Sequence, residues 1–401
     1  YTTSDIIKIS TILGRLNSHW KRVPRMYIVL RSIDHLPLLD DLITAGLSDY
    51  LFPMTERHLC NHMQTSVREE FLKAQSRVLT KSLSLELGKE GHHCIFSHED
   101  SVPFETQAKL GAGSFGEVDR VLNLITWKEF ARKRVSRSLA FRGRRKEDVK
   151  HYITEIEILK RLQHVHIVRY IGSYTDPRFL AIIMSPVAQM DLSDYLARTD
   201  PSNYKELRTF FGCLTTALQY LHMEDIRHKD IKPQNILVDR GTVLFTDFGL
   251  AFDFKGEDGS ETTGKVNRRS LRYCAPEVML QESRTRKSDI WSLGIVFLEM
   301  AVVLKGQSKR YMDEFLETHG SNYKFVHSNL AALPELITTL GHIGDESDNL
   351  ILEWTETMLS EQRDSRPTAS SLVETIINTS LEEEGVGFCG LCCMYGEDSL
   401  S

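Results

Sequence analysis

The densest set of reactive groups in the chain is the run His228-Lys229-Asp230-Ile231-Lys232-Pro233-Gln234-Asn235. It places a carboxylate, an ammonium and a side-chain amide within one tight turn. Asp230 can accept the proton of an attacking hydroxyl, and Lys232 can neutralise charge on a moving phosphoryl group. The amide oxygen of Asn235 is a hard ligand that suits a magnesium ion. Asp247, in Asp247-Phe248-Gly249, follows the strand-like Val243–Thr246 and offers a second hard oxygen, able to bridge that ion to phosphates. The chemistry these groups suit is transfer of a phosphoryl group to a hydroxyl.

Such a reaction needs a phosphate cradle. Gly111-Ala112-Gly113-Ser114-Phe115-Gly116-Glu117-Val118 can form one, because glycines let backbone amides approach phosphate oxygens. Dinucleotide-binding folds share the spacing, but there a helix follows the glycines directly. Here Val118–Leu124 and Glu129–Val135 read as strands, which suits a hairpin lying over a nucleotide. Lys133, in Phe130-Ala131-Arg132-Lys133, can hold phosphates, although a lone lysine reads as readily as a surface charge. Glu155 lies on an amphipathic run and can pair with that lysine and orient it. Neighbouring Glu157 reads as part of a solvated face. Further on, Ala275-Pro276-Glu277 finds a plausible buried partner in Arg366, and Asp289 stands in Ser288-Asp289-Ile290-Trp291-Ser292-Leu293-Gly294.

The elements that must position these groups change in character along the chain. Residues 1–100 form a mostly helical region without catalytic spacing. Ser66–Leu83 carries Val67, Phe71, Ala74, Val78 and Leu79 at helical spacing. Leu36–Leu47 reads as a shorter helix started by Pro37 and closed near Gly46. Strand-like runs occupy 104–135, a helix spans about Glu147 to Leu162, and strands return at 167–174 and 179–185. After Asp191 the chain is mostly helical, with short strands near 236–246. The class is α+β, a small β-rich part followed by a larger α-helical one.

In this order and at these separations, the motifs of residues 104–379 resemble a eukaryotic protein kinase domain. The resemblance implies two lobes, a β-rich N-lobe and an α-helical C-lobe, with ATP and Mg²⁺ between them. It implies that Leu110, Gly111, Ala112, Gly113, Ser114, Phe115 and Gly116 cover the phosphates, and that Lys133 and Glu155 orient them. Met184 would back the adenine, Ser185–Val187 would be the hinge, and Asp191 would reach the ribose. Val118, Ala131 and Leu237 would enclose the adenine. Leu159, Tyr170, His228 and Phe248 would stack on one another and rest on Asp289. By the same resemblance Asp230 and Lys232 are catalytic, and Asn235 and Asp247 hold the metal. The Lys232-Pro233 pair is similar to serine/threonine kinases, and Ser270 stands where those carry a threonine. Lys229 replaces the usual arginine, which loosens dependence on phosphorylation at Thr262 or Thr263, in a stretch that also holds Ser260, since lysine lacks the bidentate fork. Arg269 replaces a glycine. The N-terminal region also looks similar to kinases of filamentous fungi. The implied activity is transfer of the γ-phosphate of ATP to serine and threonine hydroxyls of proteins. The alternative is a pseudokinase scaffold, against which Lys133, Glu155, Asp230, Asn235 and Asp247 all survive.

Composition narrows the remaining classes. The 401 residues are 41% hydrophobic with a net charge of −6, so no nucleic-acid partner is expected. The longest apolar run, Ile295–Leu304, is too short to span a membrane and contains Glu299. Seven cysteines without a disulfide framework suit a reducing setting, cytoplasmic or otherwise intracellular, with the nucleus left open. The basic stretch from Arg132 to Lys146 (Arg132, Arg134, Arg137, Arg142, Arg144, Arg145, Lys146) reads as a solvated loop or as a dock for a phosphorylated or acidic partner. Residues 381–401 read as a tail. Its Cys389-Gly390-Leu391-Cys392-Cys393 cluster is too small for a complete zinc site, and the segment reads as a tail without function, the alternative being S-acylation that would tether it to a membrane.

Overall fold

The computed structural model describes the chain except for residues 60–61, 80–84, 87–92, 98–101, 114–115, 138–145, 254–267, 283, 322, 383–386 and 395–401. It divides into two compact units, residues 1–150 with 170–187, and residues 151–169 with 188–401.

The first unit holds a six-stranded sheet. Its strands are β1 (Cys94–Ile95), β2 (Phe104–Gly113), β3 (Gly116–Asn123), β4 (Glu129–Ser136), β5 (Arg169–Thr175) and β6 (Phe179–Ser185). Their spatial order is β1-β5-β6-β4-β3-β2. Strand β6 reads Phe-Leu-Ala-Ile-Ile-Met-Ser, buried from Leu180 to Met184, as expected of a strand covered on both faces. Pleating sends alternate side chains to opposite faces, and directly paired residues share a face. Gly111 pairs with Val118, Val118 with Lys133, and Ala131 with Met184, so these five positions lie on one face. The other face carries Val121, Phe130 and Ile183, packed with Phe104 and Tyr174. Phe104 stacks on Tyr174 at 6.1 Å and meets Phe130 edge-on at 6.3 Å.

Arg132 belongs to that second face. Its guanidinium lies 3.1 Å from the Asp119 carboxylate and also donates to the Tyr174 and Thr106 hydroxyls. Arg134 reaches the same Asp119 oxygen at 2.7 Å. The start of the basic stretch is therefore bound up inside the sheet rather than presented to a partner. Arg142, Arg144 and Arg145 lie outside the described residues.

The N-terminal helices build a separate core in the same unit. Helix α1 (Thr3–Leu16) begins with a capping box between Thr2 and Asp5. Helix α2 (Pro24–Ser32) starts on a proline, whose fixed φ suits the first turn. Where one helix is expected over Leu36–Leu47, a 3₁₀ turn (Leu36–Leu38) leads into α3 (Leu39–Thr44), and Gly46 closes it with φ +84°. After the single turn α4 (Glu56–Leu59), α5 (Thr65–Ala74) stops short of the expected Leu83 and passes into a 3₁₀ turn at Gln75–Arg77. Ile6, Met26, Val29, Leu30, Leu42, Phe71 and Val78 pack together, and Ile125 from the β3–β4 connection joins them. Asp49, fully buried, accepts the N–H groups of Arg25 at 2.6 Å and Met26 at 2.9 Å. It caps the first turn of α2 from a distant part of the chain.

The second unit is mainly helical. Helix α6 (Lys146–Arg161) enters it, followed by α7 (Leu192–Arg198), α8 (Tyr204–Met223), the single turn α9 (Pro276–Met279) and α10 (Arg286–Leu304). Then come α11 (Lys309–His319), α12 (Leu333–Gly341), α13 (Asn349–Met358), α14 (Ala369–Glu382) and the single turn α15 (Leu391–Met394). Helix α10 is buried almost all round, so it forms the axis of the unit. A small sheet runs in the order β10 (Thr242–Phe245), β9 (Ile236–Asp239), β7 (Met190–Asp191). A second pairs β8 (Ile226–Arg227) with β11 (Phe252–Asp253). The segment read as a loose tail is packed in part. Phe388 is fully buried, meets Trp354 edge-on at 5.1 Å, and accepts the Gly212 N–H at 2.8 Å. Among the described residues no helix is long and apolar enough to cross a membrane.

Asp49→Ala leaves two buried N–H donors without an acceptor. It should lower unfolding stability by about 2–4 kcal/mol. Asp49→Asn keeps an acceptor oxygen and should lose less. Urea denaturation followed by circular dichroism measures both.

Candidate active site

In the second unit, the turn that follows β8 is held by a buried carboxylate. Asp289, in the first turn of α10, accepts the N–H of His228 at 2.9 Å on Oδ2 and that of Lys229 at 2.9 Å on Oδ1. His222 Nε2 lies 3.3 Å from Oδ2. For both amides to point the same way the backbone must bend sharply, and Lys229 takes φ +65°. Burial pushes the Asp289 carboxyl up, but the His222 bond and charge and the Lys229 N–H hold it below its ordinary value.

The next residues then fall into place. Lys232 Nζ lies 2.6 Å from Asp230 Oδ2. The Asn235 amide nitrogen donates to the same oxygen at 2.9 Å and to the Asp230 carbonyl at 2.8 Å. Pro233–Asn235 forms a 3₁₀ turn, so proline sits where no amide hydrogen is needed. His228 donates from Nε2 to the Thr246 carbonyl at 3.0 Å, and its ring lies 4.9 Å from that of Phe248. Asp247 between them has φ +64°, a strained conformation for a residue with a side chain. The turn and Asp247 thus belong to one bonded assembly.

Two further anchors support it. Arg366 pairs with Glu277 through two parallel bonds of 2.8 and 2.9 Å, both groups buried. Burial works to raise the Glu277 carboxyl, and Arg366 holds it below its ordinary value. Arg272 binds Glu299 at 2.8 Å and Asp313 at 2.6 Å, while the Tyr273 hydroxyl donates to Glu299 at 3.2 Å. This pins the stretch before Ala275. Sequence reasoning missed the Arg272 network and His222. The lone Glu299 within an apolar helix was the available signal, since a buried charge requires a partner.

The remaining second-unit residues each have a definite place. Glu155 is 2% exposed, whereas Glu157 is exposed. Leu237 on β9 pairs with Asp191 on β7. Asp191 also caps α7, accepting the Asp194 N–H at 2.9 Å. Ser270 lies in the 3₁₀ turn Arg268–Tyr273, and Ser260, Thr262 and Thr263 are outside the described residues.

In the first unit, Lys133, Ala131 and Met184 are buried on the face that also carries Val118 and Gly111. Leu110 is exposed, Ala112 follows on the same strand, and Gly113 pairs with Gly116 at the tip of the hairpin. Gly116 has φ +137°, and a Cβ there would come within 2.2 Å of the Arg134 carbonyl oxygen, so only glycine fits. Ser114 and Phe115 lie outside the described residues. Ser185 ends β6, with Val187 just beyond it.

A family model described as the protein kinase domain matches residues 104–376. The chain belongs to that family. Mitogen-activated protein kinase kinase kinase ANP1 of Arabidopsis thaliana is 30% identical over 270 residues, 66% of this chain and 38% of that protein. Mitogen-activated protein kinase kinase kinase A of Dictyostelium discoideum is 33% identical over 194 residues, 48% of this chain and 20% of that protein. A kinase of the same description from Pyricularia oryzae, MST11, is 35% identical over 208 residues, 48% of this chain and 22% of that protein. The chain thus spans two fifths or less of the length of these relatives.

The Glu277–Arg366 pair in this kinase domain gives a pH-dependent expectation. A carboxyl held low in the folded state adds stability above its unfolded value near 4.5 and loses it as pH falls. Arg366→Met should therefore cost about 3–5 kcal/mol at neutral pH, the penalty of a buried charge left alone. The gap to wild type should narrow below about pH 4.5. Denaturant unfolding across pH checks both.

Proposed function

We propose that the kinase domain transfers the γ-phosphate of ATP to serine and threonine hydroxyls of protein substrates. The observation that carries this reading is the bonded set Asp230, Lys232 and Asn235, anchored by Asp289. Asp230 takes the role of base, receiving the proton of the acceptor hydroxyl. Lys232, already beside Asp230, balances the negative charge that builds on the transferred group. Lys133 takes the role of phosphate anchor, with Glu155 as its orienting partner. Leu110, Gly111, Ala112, Gly113, Ser114, Phe115 and Gly116 cover the phosphates, and Val118, Ala131, Met184, Ser185, Val187, Asp191 and Leu237 receive the nucleoside.

Asn235 and Asp247 suit a magnesium ion. The Asn235 nitrogen is committed to Asp230, which leaves its oxygen as the donor atom, and Asp247 adds a carboxylate. Both are the hard oxygen ligands magnesium prefers, and the bound ion supplies charge neutralisation at the phosphates. Protein acceptors are favoured because the related chains are named as kinases of protein kinases. The choice of serine and threonine rests on the Lys232-Pro233 pair and on Ser270.

With Mg²⁺ and ATP, the purified chain should phosphorylate itself or a generic protein. Asp230→Asn should lower turnover by about 10²-fold or more, the scale of a lost general base. Equal inertness of wild type and variant across a broad peptide library would favour a pseudokinase instead. Phosphoamino-acid analysis of the products should give phosphoserine and phosphothreonine; mainly phosphotyrosine would overturn the acceptor assignment.

A further inference from the structure

The second unit also gathers sulfur far from Asp230 in sequence. His166, Cys213, Cys392 and Cys393 bring one imidazole nitrogen and three Sγ atoms within 4.8 Å of one another. His166 stands between α6 and β5, Cys213 on α8, and the other two on α15, so three separate stretches of chain meet here. His166 Nε2 lies 3.1 Å from Cys393 Sγ and 3.3 Å from Cys392 Sγ. Cys213 Sγ is 3.8 Å from each of those sulfurs. We propose that these four side chains form a structural zinc site of the Cys₃His type.

The distances fit the metal. Bonds of about 2.3 Å to sulfur and about 2.0 Å to nitrogen, at tetrahedral angles, place sulfurs about 3.8 Å apart and nitrogen about 3.5 Å from sulfur. Cys213 Sγ stands one tetrahedron edge from each of the other two sulfurs, well outside disulfide length, and all three cysteines are free. The tautomer fits as well. His166 Nδ1 lies 2.8 Å from the Val243 carbonyl, which only accepts, so the proton sits on Nδ1. Nε2 is therefore the nitrogen turned toward the sulfurs, and in the neutral ring its lone pair is open to a metal, the arrangement in which a histidine ligand is fixed by a carbonyl behind it.

The backbone is shaped to allow the approach. A Cβ at Gly390 would lie 2.8 Å from Cys392 Sγ and 3.2 Å from Cys213 Sγ. A Cβ at Gly212 would lie 2.6 Å from Cys389 Cβ. Cys389, buried and packed against Gly212, adds a fourth thiol beside the ligand set. In sequence the tail cluster is too small for zinc; the fold supplies the two missing ligands from positions that look isolated. The metal would tie the segment after α14 to α8 and to the His166 segment, closing loops that are long in the unfolded chain.

The test is the metal content of the full chain, purified without chelator and measured by mass spectrometry of the elements. The expected result is stoichiometric zinc. Replacement by cobalt(II) should give the visible d–d bands of a tetrahedral thiolate site. The Cys392→Ser/Cys393→Ser double variant and His166→Ala should lose the metal, while Cys94→Ser, outside the cluster, should keep it. Metal-free wild-type protein that gives no tetrahedral cobalt spectrum would overturn the assignment. So would a disulfide or an acyl group on Cys392 or Cys393 in the intact mass, or full zinc retention in the double variant. If a variant fails to fold, the content and cobalt spectrum of the wild type decide alone.

Discussion

One buried carboxylate, Asp289, sets the position of the turn that carries Asp230. It receives two consecutive backbone N–H groups, from His228 and Lys229, and this is geometrically possible only because Lys229 adopts φ +65°. A left-handed lysine costs energy of order 1–3 kcal/mol unless its surroundings over-determine it. Here they do, because releasing the bend would leave a 2%-exposed carboxylate without its donors. Asp289 also lies in the first turn of α10, where the helix dipole favours negative charge. The helix is itself the most buried element of the unit, so the anchor inherits its rigidity.

Burial energy and placement are supplied by different residues. The apolar body of α10, together with Phe210, Phe211 and Leu214 on α8, supplies the hydrophobic gain. That gain has little direction and would tolerate small slides between helices. The polar anchors remove that freedom. Glu299 with Arg272 fixes the stretch before Ala275 to α10, Glu277 with Arg366 joins α9 to the segment before α14, and Asp289 with His222 joins α10 to the end of α8. Buried ion pairs of this kind gain little net stability over apolar packing. Their effect here is positional.

The bonded turn at Asp230 was legible in the sequence because the groups that hold it lie within a few positions of one another. Asp230, Lys232 and Asn235 are mutually bonded neighbours, so short-range spacing carries nearly all the information. The strand register is a different case. Adjacent Arg132 and Lys133 must face opposite sides of a strand, yet spacing does not say which side holds Lys133. Pairing with Asp119 resolves it, and removes Arg132 from the exposed basic stretch it was read into. The two N-terminal helices passed unrecognised although Thr2 with Asp5 and Pro24 mark their starts, since neither signal is strong without its tertiary core. The sulfur cluster was illegible for a plain reason. Its members come from positions 166, 213 and 392–393, and no local pattern links them.

That cluster and the catalytic assembly share one strand. His166 bonds through its ring to the Val243 carbonyl, and its own carbonyl accepts the Phe245 N–H at 2.9 Å. Val168 returns a bond to the Phe245 carbonyl at 3.0 Å. Phe245 ends β10, and Asp247 follows two residues later. The His166 segment therefore fixes the strand end from which Asp247 projects, while the Thr246 carbonyl is fixed by His228. Asp247 is thus held from two directions, by the turn at His228 and by the segment that carries the histidine of the sulfur cluster. A ligand bound to His166 acts on the second of these supports. Tightening it restrains the β10 end without touching Asp230, so the packed residues after α14 have a physical route to the placement of Asp247.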